Sequence, residues 1–546
     1  MVRALTWRAA AGFALLLAHG VLAAGPAASD GGRSIYHDGR LASGEPLHAT
    51  VQKGVALDGA AAACVNCHRR SGLGGGEGQN TIRPIAGRLL FHPPLPGGTG
   101  RLREQPARAN DVSRRPVYTR ASLAYALREG VDPAGRVLDP LMPRYALGDD
   151  AIDQLHAYLE GLSATAAPGV GEREIHFATI IAPGVDPERR RALLDVLQVF
   201  FRDKNGGTRK EARRRDTDSM RMYRAYRTWV LHVWELLGGP ETWRAQLDAH
   251  YRKQPVFAVI GGLGGASWMP VHAFCESAAV PCVFPDVDYP VVEGAGYYSL
   301  YFSRGLVLEA EVLARQLAQN RAGRIVQVFR DDATGRVPAQ ALREALRRRG
   351  IEAPDEHAVS GAGALPAGFW DGLLRSAQPV TLVAWLDRAD VQALGEAGEP
   401  PAGLTDLYVS ASLSAMRPPE LPASWLGRLR MVHPFVLPAD RARRLARVEA
   451  WLRARGIPLR DARTQANAFF AATVTGDAMA HLGESFSRDY FIERIEQMAE
   501  TSLSPSIYPR LSLGPGQRFA SRGAYIVGFP QGAGGTPVPL SDWMVP

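Results

Sequence analysis

The sequence predicts a multidomain chain, with a small all-α domain over residues 30–165 followed by a two-lobed α/β module of doubly wound parallel sheets over 173–546. Three observations carry this expectation. Arg120 to Glu129 and Asp150 to Leu162 read as helices, the second with an apolar stripe at helical spacing. Ser163 to Arg173 is rich in small residues, Pro and Gly, as a linker is. Beyond it, apolar runs of strand length alternate with amphipathic helices. The length of 546 residues, 46% hydrophobic and 22% charged, suits roughly two to four globular domains.

At the start, Arg3 and Arg8 flank and precede the apolar run Ala9 to Ala18, and Val21-Leu22-Ala23 offers a small-residue cleavage site. This reads as a secretory signal peptide over 1–24, which places the mature protein in the periplasm; an uncleaved anchor is the alternative. No later stretch is long and apolar enough to span a membrane. The formal net charge is +8, but Arg3 and Arg8 belong to the leader, so nucleic-acid binding is not inferred. Lysine is confined to Lys53, Lys204, Lys210 and Lys253 while arginine is abundant, a pattern of genome composition rather than of a selected surface.

Two thiols separated by two residues, with a histidine directly after the second, form the attachment pattern of a c-type haem. Cys64 and Cys67 would form thioethers with the haem vinyl groups and His68 would ligate the iron. A Cys-x-x-Cys pair alone also suits half a zinc site or a redox dithiol. A zinc site needs a second ligand pair, and Cys275 and Cys282 lack metal-site spacing. A redox dithiol would follow a strand, whereas this pair follows the small-residue run Gly59 to Ala63. Export and covalent haem support each other, because bacterial haem attachment takes place outside the cytoplasmic membrane. For Cys275 and Cys282, an oxidising compartment leaves a disulfide or two buried thiols as the alternatives.

Within the first domain, Gly31-Gly32-Arg33 onward reads as a loop leading to a short helix with the haem motif, and Ser71 to Gly76 reads as a glycine-rich turn. Arg120 to Glu129 is a helix ended by Gly130. Asp150 to Leu162 is another, capped by Asp149/Asp150, with Ile152, Leu155, Leu159 and Leu162 on one face. Between residues 30 and 165 Met142 is the one methionine, in the proline-flanked stretch Leu138 to Tyr145, which makes it the candidate sixth iron ligand; His37, His48, His92 and His156 compete less well. These pieces, together with Pro84-Ile85-Ala86-Gly87, Leu123 to Gly130 and Leu141-Met142-Pro143, resemble a class I cytochrome c domain. The resemblance implies crossing first and last helices, a six-coordinate His68/Met142 iron, and a carbonyl of Pro84 accepting from the His68 ring. The arginine-rich insert from His92 to Arg115 departs from the family pattern.

In the second module the expected strands are 175–181, 229–236, 256–261, 281–284, 298–302, 324–329, 381–386, 407–410, 429–436 and 525–529. The helices between them include Pro187 to Arg202, capped by Asp186 and stopped by Gly206-Gly207, and Leu306 to Gln319. The element order, with Val256 to Gly262, Ala279 to Pro285 and Gly514 to Arg518, resembles type I periplasmic solute-binding proteins of the branched-chain amino-acid class. That implies two lobes joined by crossing strands around a cleft for a small polar solute. Ligands in such sheets sit at strand carboxyl ends, which points to Gly264 to Ser267, Asp286 to Tyr289, Asp331-Asp332 and Trp385 to Asp387. Ser267 would donate to a carboxylate and Asp286 would take an amine; both also suit turn or cap positions. Gly262 to Ser267 is not a dinucleotide fingerprint, since Ser267 stands where the third glycine belongs. The runs Arg189 to Arg191, Arg209 to Arg215, Arg347 to Arg349 and Arg441 to Arg455 read as solvated helix faces or loops, with docking of an acidic partner protein or anionic lipid as the alternative. No Gly-x-Ser-x-Gly, His-Glu-x-x-His or second haem motif occurs, so no independent catalysis is expected.

The expected function is one-electron transfer by a periplasmic monohaem cytochrome carrying one covalently attached haem c and its iron. Its partners would be a redox protein (a dehydrogenase, another cytochrome or an oxidase) and a small polar solute, with no nucleic acid. Alternatives are a cytochrome subunit of a dehydrogenase with the second module as scaffold, or a redox-linked solute sensor.

Overall fold

The computed structural model describes residues 26–51, 54–77, 80–92, 115–215, 227–265, 267–294, 296–361, 365, 368–374, 379–483, 485–498, 506–530 and 536–546. The expected signal segment 1–24 and nearly all of the insert 92–115 lie outside these residues. The chain divides into two compact units, one ending at Ala164 and the other beginning at Thr165. Among the described residues no helix is long and apolar enough to cross a membrane.

In the N-terminal unit, α1 (Pro26–Asp38) occupies the stretch expected to be a loop. Its glycines are why it was misread and why it fits. A Cβ on Gly32 would lie 2.1 Å from the backbone oxygen of Gln154 and 2.6 Å from Tyr158 Cβ, so only glycine lets α1 approach the last helix of the unit this closely. The unit is also not all-α. β1 (His48–Val51) pairs antiparallel with β2 (Val55–Asp58), with His48 opposite Asp58. The one-turn α2 (Val65–His68) follows. The helix α3 (Arg120–Glu129) is held by a Thr119/Ser122 capping box and ends at Gly130, whose φ is +73°. β3 (Arg144–Tyr145) completes the sheet by pairing with β1, and α4 (Asp149–Gly161) closes the unit. The sequence reading missed this sheet because its strands are only two to four residues long. Ile152, Leu155 and Leu159 of α4 are buried against Ile35, Tyr36, Leu123 and Leu127. The cap of α4 is the backbone of Gly148 rather than an Asp side chain; Asp149 pairs with Arg128 at 2.9 Å.

The C-terminal unit opens with β4 (Glu174–Ile181), α5 (Pro187–Arg215) and β5 (Thr228–Glu235), then α6 (Pro240–Lys253), β6 (Ala258–Ile260), α7 (Met269–Ser277), β7 (Cys282–Val283) and β8 (Ser299–Leu300). Their parallel sheet runs in the order β8-β7-β6-β4-β5. Ile175, Phe177, Ala178, Ile180 and Ile181 are all buried, which is the composition of a strand covered on both faces. Asp186 caps α5 through the Glu188 amide at 2.7 Å, but the helix runs on through Gly206-Gly207, so that pair is no stop. Cys275 and Cys282, on α7 and β7, are two buried thiols in side-chain contact, with no bridge between them.

A second sheet is built from β9 (Arg324–Arg330), β10 (Asp355–Val359), β11 (Val380–Trp385), β12 (Leu404–Ser410) and β13 (Leu429–His433), parallel in the order β10-β9-β11-β12-β13. It is extended antiparallel by β14 (Tyr525–Gly528) and β15 (Val538–Pro539). The helices α8 (Leu306–Gln319) and α9 (Ala333–Arg348) pack on it. α10 (Pro438–Arg453), the almost wholly buried α11 (Ala462–Leu482) and α12 (Arg488–Met498) follow β13. β10, with the sequence Asp-Glu-His-Ala-Val, escaped notice because an edge strand carries little apolar pattern. The chain crosses between the sheets at Tyr301–Gly305, at Pro434–Leu437 and near 506–521. There the Tyr301 amide donates to Arg518 O at 2.8 Å, the Ala520 amide donates to Tyr301 O at 3.0 Å, and the Val436 amide donates to Ile507 O at 2.8 Å.

Candidate functional site

In the N-terminal unit, Cys64 and His68 are buried and Cys67 is exposed. Asn66 Nδ2 donates to Ala60 O at 2.8 Å and ties the turn back to the preceding segment. His68 Nδ1 lies 3.0 Å from Arg83 O. The carbonyl is an acceptor, so Nδ1 carries the hydrogen and the lone pair is left on Nε2. Burial holds the His68 pKa down at about 4, with the Arg83 carbonyl acting in the opposite sense, so the ring is neutral near pH 7. Burial likewise pushes the Cys64 thiol up to about 12. Half-buried Met142 packs against the cluster that includes Cys64, Leu123, Leu127 and Tyr145. Cys64 and Met142, 78 positions apart in sequence, thus border one core. The expected acceptor Pro84 is corrected to its neighbour Arg83. The two residues share one peptide group, and a residue preceding proline is held extended, which presents the Arg83 carbonyl to the ring.

In the C-terminal unit, Asp286 follows β7 and is buried. Its Oδ2 accepts from Arg189 Nη2 at 3.1 Å and Thr464 Oγ1 at 2.8 Å; its Oδ1 accepts from Asn467 Nδ2 at 3.1 Å and lies 3.0 Å from Arg463 Nε. That last contact is an ion pair whose direction does not suit a hydrogen bond, for Arg463 donates instead from Nη2 to Asp288 at 2.6 Å. Burial alone would raise the Asp286 pKa; Arg463, Arg189 and the Thr464 hydroxyl outweigh it and hold it at about 2. Asp286 therefore fastens α5 and α11 to the sheet end and has no oxygen left for a solute amine. Arg189, expected on a solvated face, points inward to this carboxylate because it lies in the first turn of α5, beside the strand ends. Half-buried Ser267 stands directly before Trp268, the N-cap of α7. Trp268 fills the space beside the glycine loop: a Cβ on Gly264 would lie 2.7 Å from its ring.

Next along the loop, Tyr289 Oη donates to Thr334 O at 3.0 Å, joining the end of β7 to the first turn of α9. The Leu306 amide at the start of α8 donates to Asp288 O at 3.2 Å. One turn in, Glu309 is wholly buried; its Oε1 accepts from the Ser412 hydroxyl and amide, and its Oε2 has no hydrogen-bond partner. Burial pushes its pKa up to about 7 against the Ser412 hydroxyl and amide and the nearby Ser410 hydroxyl, with Asp288 adding to the rise. Sequence reasoning missed Glu309, Arg463, Thr464 and Asn467. Only Glu309 left a signal, as a carboxylate on the stripe of Leu306 and Leu313 in an otherwise apolar face.

The family model described as periplasmic binding protein matches residues 238–532. Similar solved structures include a branched chain amino acid ABC transporter from Thermus thermophilus with bound valine, at 10% identity and TM-score 0.51, covering 69% of this chain and 98% of that one. Others are a fatty acid ABC transporter substrate-binding protein from Thermomonospora curvata (14%, TM-score 0.48, 70% and 95%) and a solute binding protein of an ABC transporter from R. palustris in complex with benzoate (12%, TM-score 0.49, 68% and 97%). No curated protein matches the sequence. At such identities the structural likeness is one of fold. The family match spans more than half of the chain and lies within the two-sheet unit, so the chain belongs to the periplasmic binding protein family.

Proposed function

We propose that this is an exported periplasmic protein in which a monohaem c-type cytochrome domain transfers single electrons and the two-lobed module binds a small solute in its cleft. The observation that carries the haem reading is the Cys64-Val65-Asn66-Cys67-His68 turn with its buried, neutral His68, whose Nδ1–H is spent on Arg83 O and whose Nε2 lone pair is thereby left for a metal. Cys64 and Cys67 would tether the haem, and His68 and Met142 would ligate its iron. When bound, haem supplies a reversible one-electron couple whose potential a thioether ligand raises. The chain's own part is to fix the His68 tautomer, keep water from the ring by burial, and offer Met142 from the shared core. The docking partner would be a dehydrogenase, another cytochrome or an oxidase.

Solute binding is supported by family membership and by the two parallel sheets, whose carboxyl ends carry the Asp286–Tyr289 and Asp331–Asp332 loops. Oxidised and reduced visible spectra of the purified exported protein, with a haem stain after denaturing electrophoresis, test the first module. A covalent haem is expected, and its absence sinks the cytochrome reading. The Met142→Ala variant should lose the far-red sulfur-to-iron band of the oxidised protein. A thermal-shift screen of solutes tests the second module.

A further inference from the structure

Three elements of the C-terminal unit bring acidic groups together where the two sheets' strand ends meet. Asp288 and Tyr289 come from the loop after β7, Glu309 from the first turn of α8, and Asp332 from the cap of α9. The backbone of Asp288 abuts α8, since a Cβ on Gly305 would lie 2.1 Å from its oxygen, and Tyr289 reaches Thr334 two residues beyond Asp332. Positive charge on these elements is already engaged. Arg463 serves Asp286 and Asp288, Arg304 and Arg348 serve Glu311, Arg330 serves Asp390 and Arg336 serves Asp331. Arg441, a guanidinium with buried nitrogens that lack hydrogen-bond partners, stands by His433 at the end of β13 and exerts no resolved effect on Glu309. Among the described residues nothing cationic faces Glu309, whose buried Oε2 has no partner. An acceptor left like this is costly unless a ligand completes it.

Resting on the solute-binding reading, we propose that this cleft takes a small organic cation, a primary amine or diamine without a carboxylate, whose charged nitrogen is received by Glu309 Oε2, with Asp288 adding negative charge beside it. Glu309 gives its proton to solvent as the cation arrives, so capture is coupled to proton release. In the solute-free protein, burial and Asp288 push Glu309 up to about 7, which makes the coupling visible near neutral pH. The other groups around Glu309 leave that range clear. Burial keeps His433 at about 4 and pushes Tyr289 upward, Ser410 and Ser412 do not titrate there, and Glu311 is paired.

Isothermal titration of the full-length protein with 1-aminobutane, 1,4-diaminobutane, leucine, butyrate and butyramide, between pH 5.5 and 8.5 and in two buffers of different ionisation enthalpy, tests this. The amines are expected to bind. Their Kd should weaken about tenfold for each pH unit below about 7, with up to one proton released per solute. Glu309→Gln should weaken amine binding at least tenfold and flatten its pH dependence. Should that variant fail to fold, proton release by the unmodified protein carries the test alone. Tighter binding of leucine, butyrate or butyramide, or amine binding indifferent to pH, overturns the cation assignment and leaves the solute-binding reading standing. If none of the five binds, the cation assignment is overturned, and a wider solute screen by the same titration then decides the solute-binding reading separately.

Discussion

Replacing Asp286 with Asn keeps the shape of the side chain and removes one charge from a buried cluster. Arg189 and Arg463 then face a neutral amide, whose NH2 group also opposes the donors of Thr464 or Asn467. Breaking a buried ion pair by removing one partner costs about 3–5 kcal/mol. Arg463 keeps Asp288, and Arg189 is about a quarter exposed (26%), so the lower end, about 3 kcal/mol, is expected. Proton linkage gives a second route to the size. The pKa of Asp286 falls from 3.8 to about 2 on folding, a contribution of about 2 kcal/mol at neutral pH. Because the folded value is depressed, that contribution is present above pH 3.8 and is lost as pH falls through about 2. Urea unfolding followed by tryptophan fluorescence, reading the transition that reports the buried Trp229, Trp268, Trp385 and Trp425, measures both, since a chain of two units need not unfold in one step. A loss below about 1 kcal/mol, or a loss of equal size at pH 2 and pH 7, would refute the fastening role. Unchanged stability with altered solute affinity would return Asp286 to the role of an amine receptor.

Arg488 donates to the carbonyls of Phe257, Ala278, Ala279, Pro168 and Val256 and to Tyr251 Oη, with no carboxylate paired to it among the described residues. Lysine cannot fan out to all of these, so Arg488→Lys should cost about 2–4 kcal/mol in the same urea assay. Gly32→Ala sets a methyl 2.1 Å from Gln154 O and should destabilise the α1–α4 crossing by about 1–3 kcal/mol, read as faster hydrogen exchange of α1 and α4 amides. Glu309 is raised on folding from 4.5 to about 7, so the native state holds its proton longer. About 3 kcal/mol of stability present below pH 4.5 is then lost as pH rises through about 7, and urea midpoints for Glu309→Gln at pH 5 and 8 should lack that loss.

The sheets of the C-terminal unit were legible because a strand covered on both faces must be a run of apolar residues. Phe177 to Ile181 and Val380 to Trp385 could be little else. The polar edge strand at Asp355–Val359 and the short strands at His48 and Arg144 have no such requirement and left no pattern. Helices were legible where one face alone is buried, as in α4. They were lost where glycine carries a packing role, as at Gly32, or where the whole circumference is buried, as in α11, whose Ala466 to Ala472 run has no polar face to mark a period. The turn Cys64-Val65-Asn66-Cys67-His68, proposed as the haem attachment site, stood out because its members are adjacent in sequence. The acceptor for His68 came out one residue off because pattern fixes a neighbourhood, whereas hydrogen-bond direction depends on the rotation of a single peptide.

Asp286 and Glu309 show why the cleft could not be read in the same way. Both are carboxylates buried beside the strand ends, and desolvation acts on both in the same direction. One nevertheless sits at about 2 and the other at about 7. The difference lies in the company each keeps. Asp286 has guanidinium groups from positions 189 and 463, while Glu309 has hydroxyls from 410 and 412 and a like charge at 288. Neither set of partners is close in sequence, so no local spacing distinguishes a carboxylate that fastens helices from one that stays incomplete. The incomplete one is the better candidate for a ligand contact, since a buried group whose partners all come from the chain has nothing left to offer a solute.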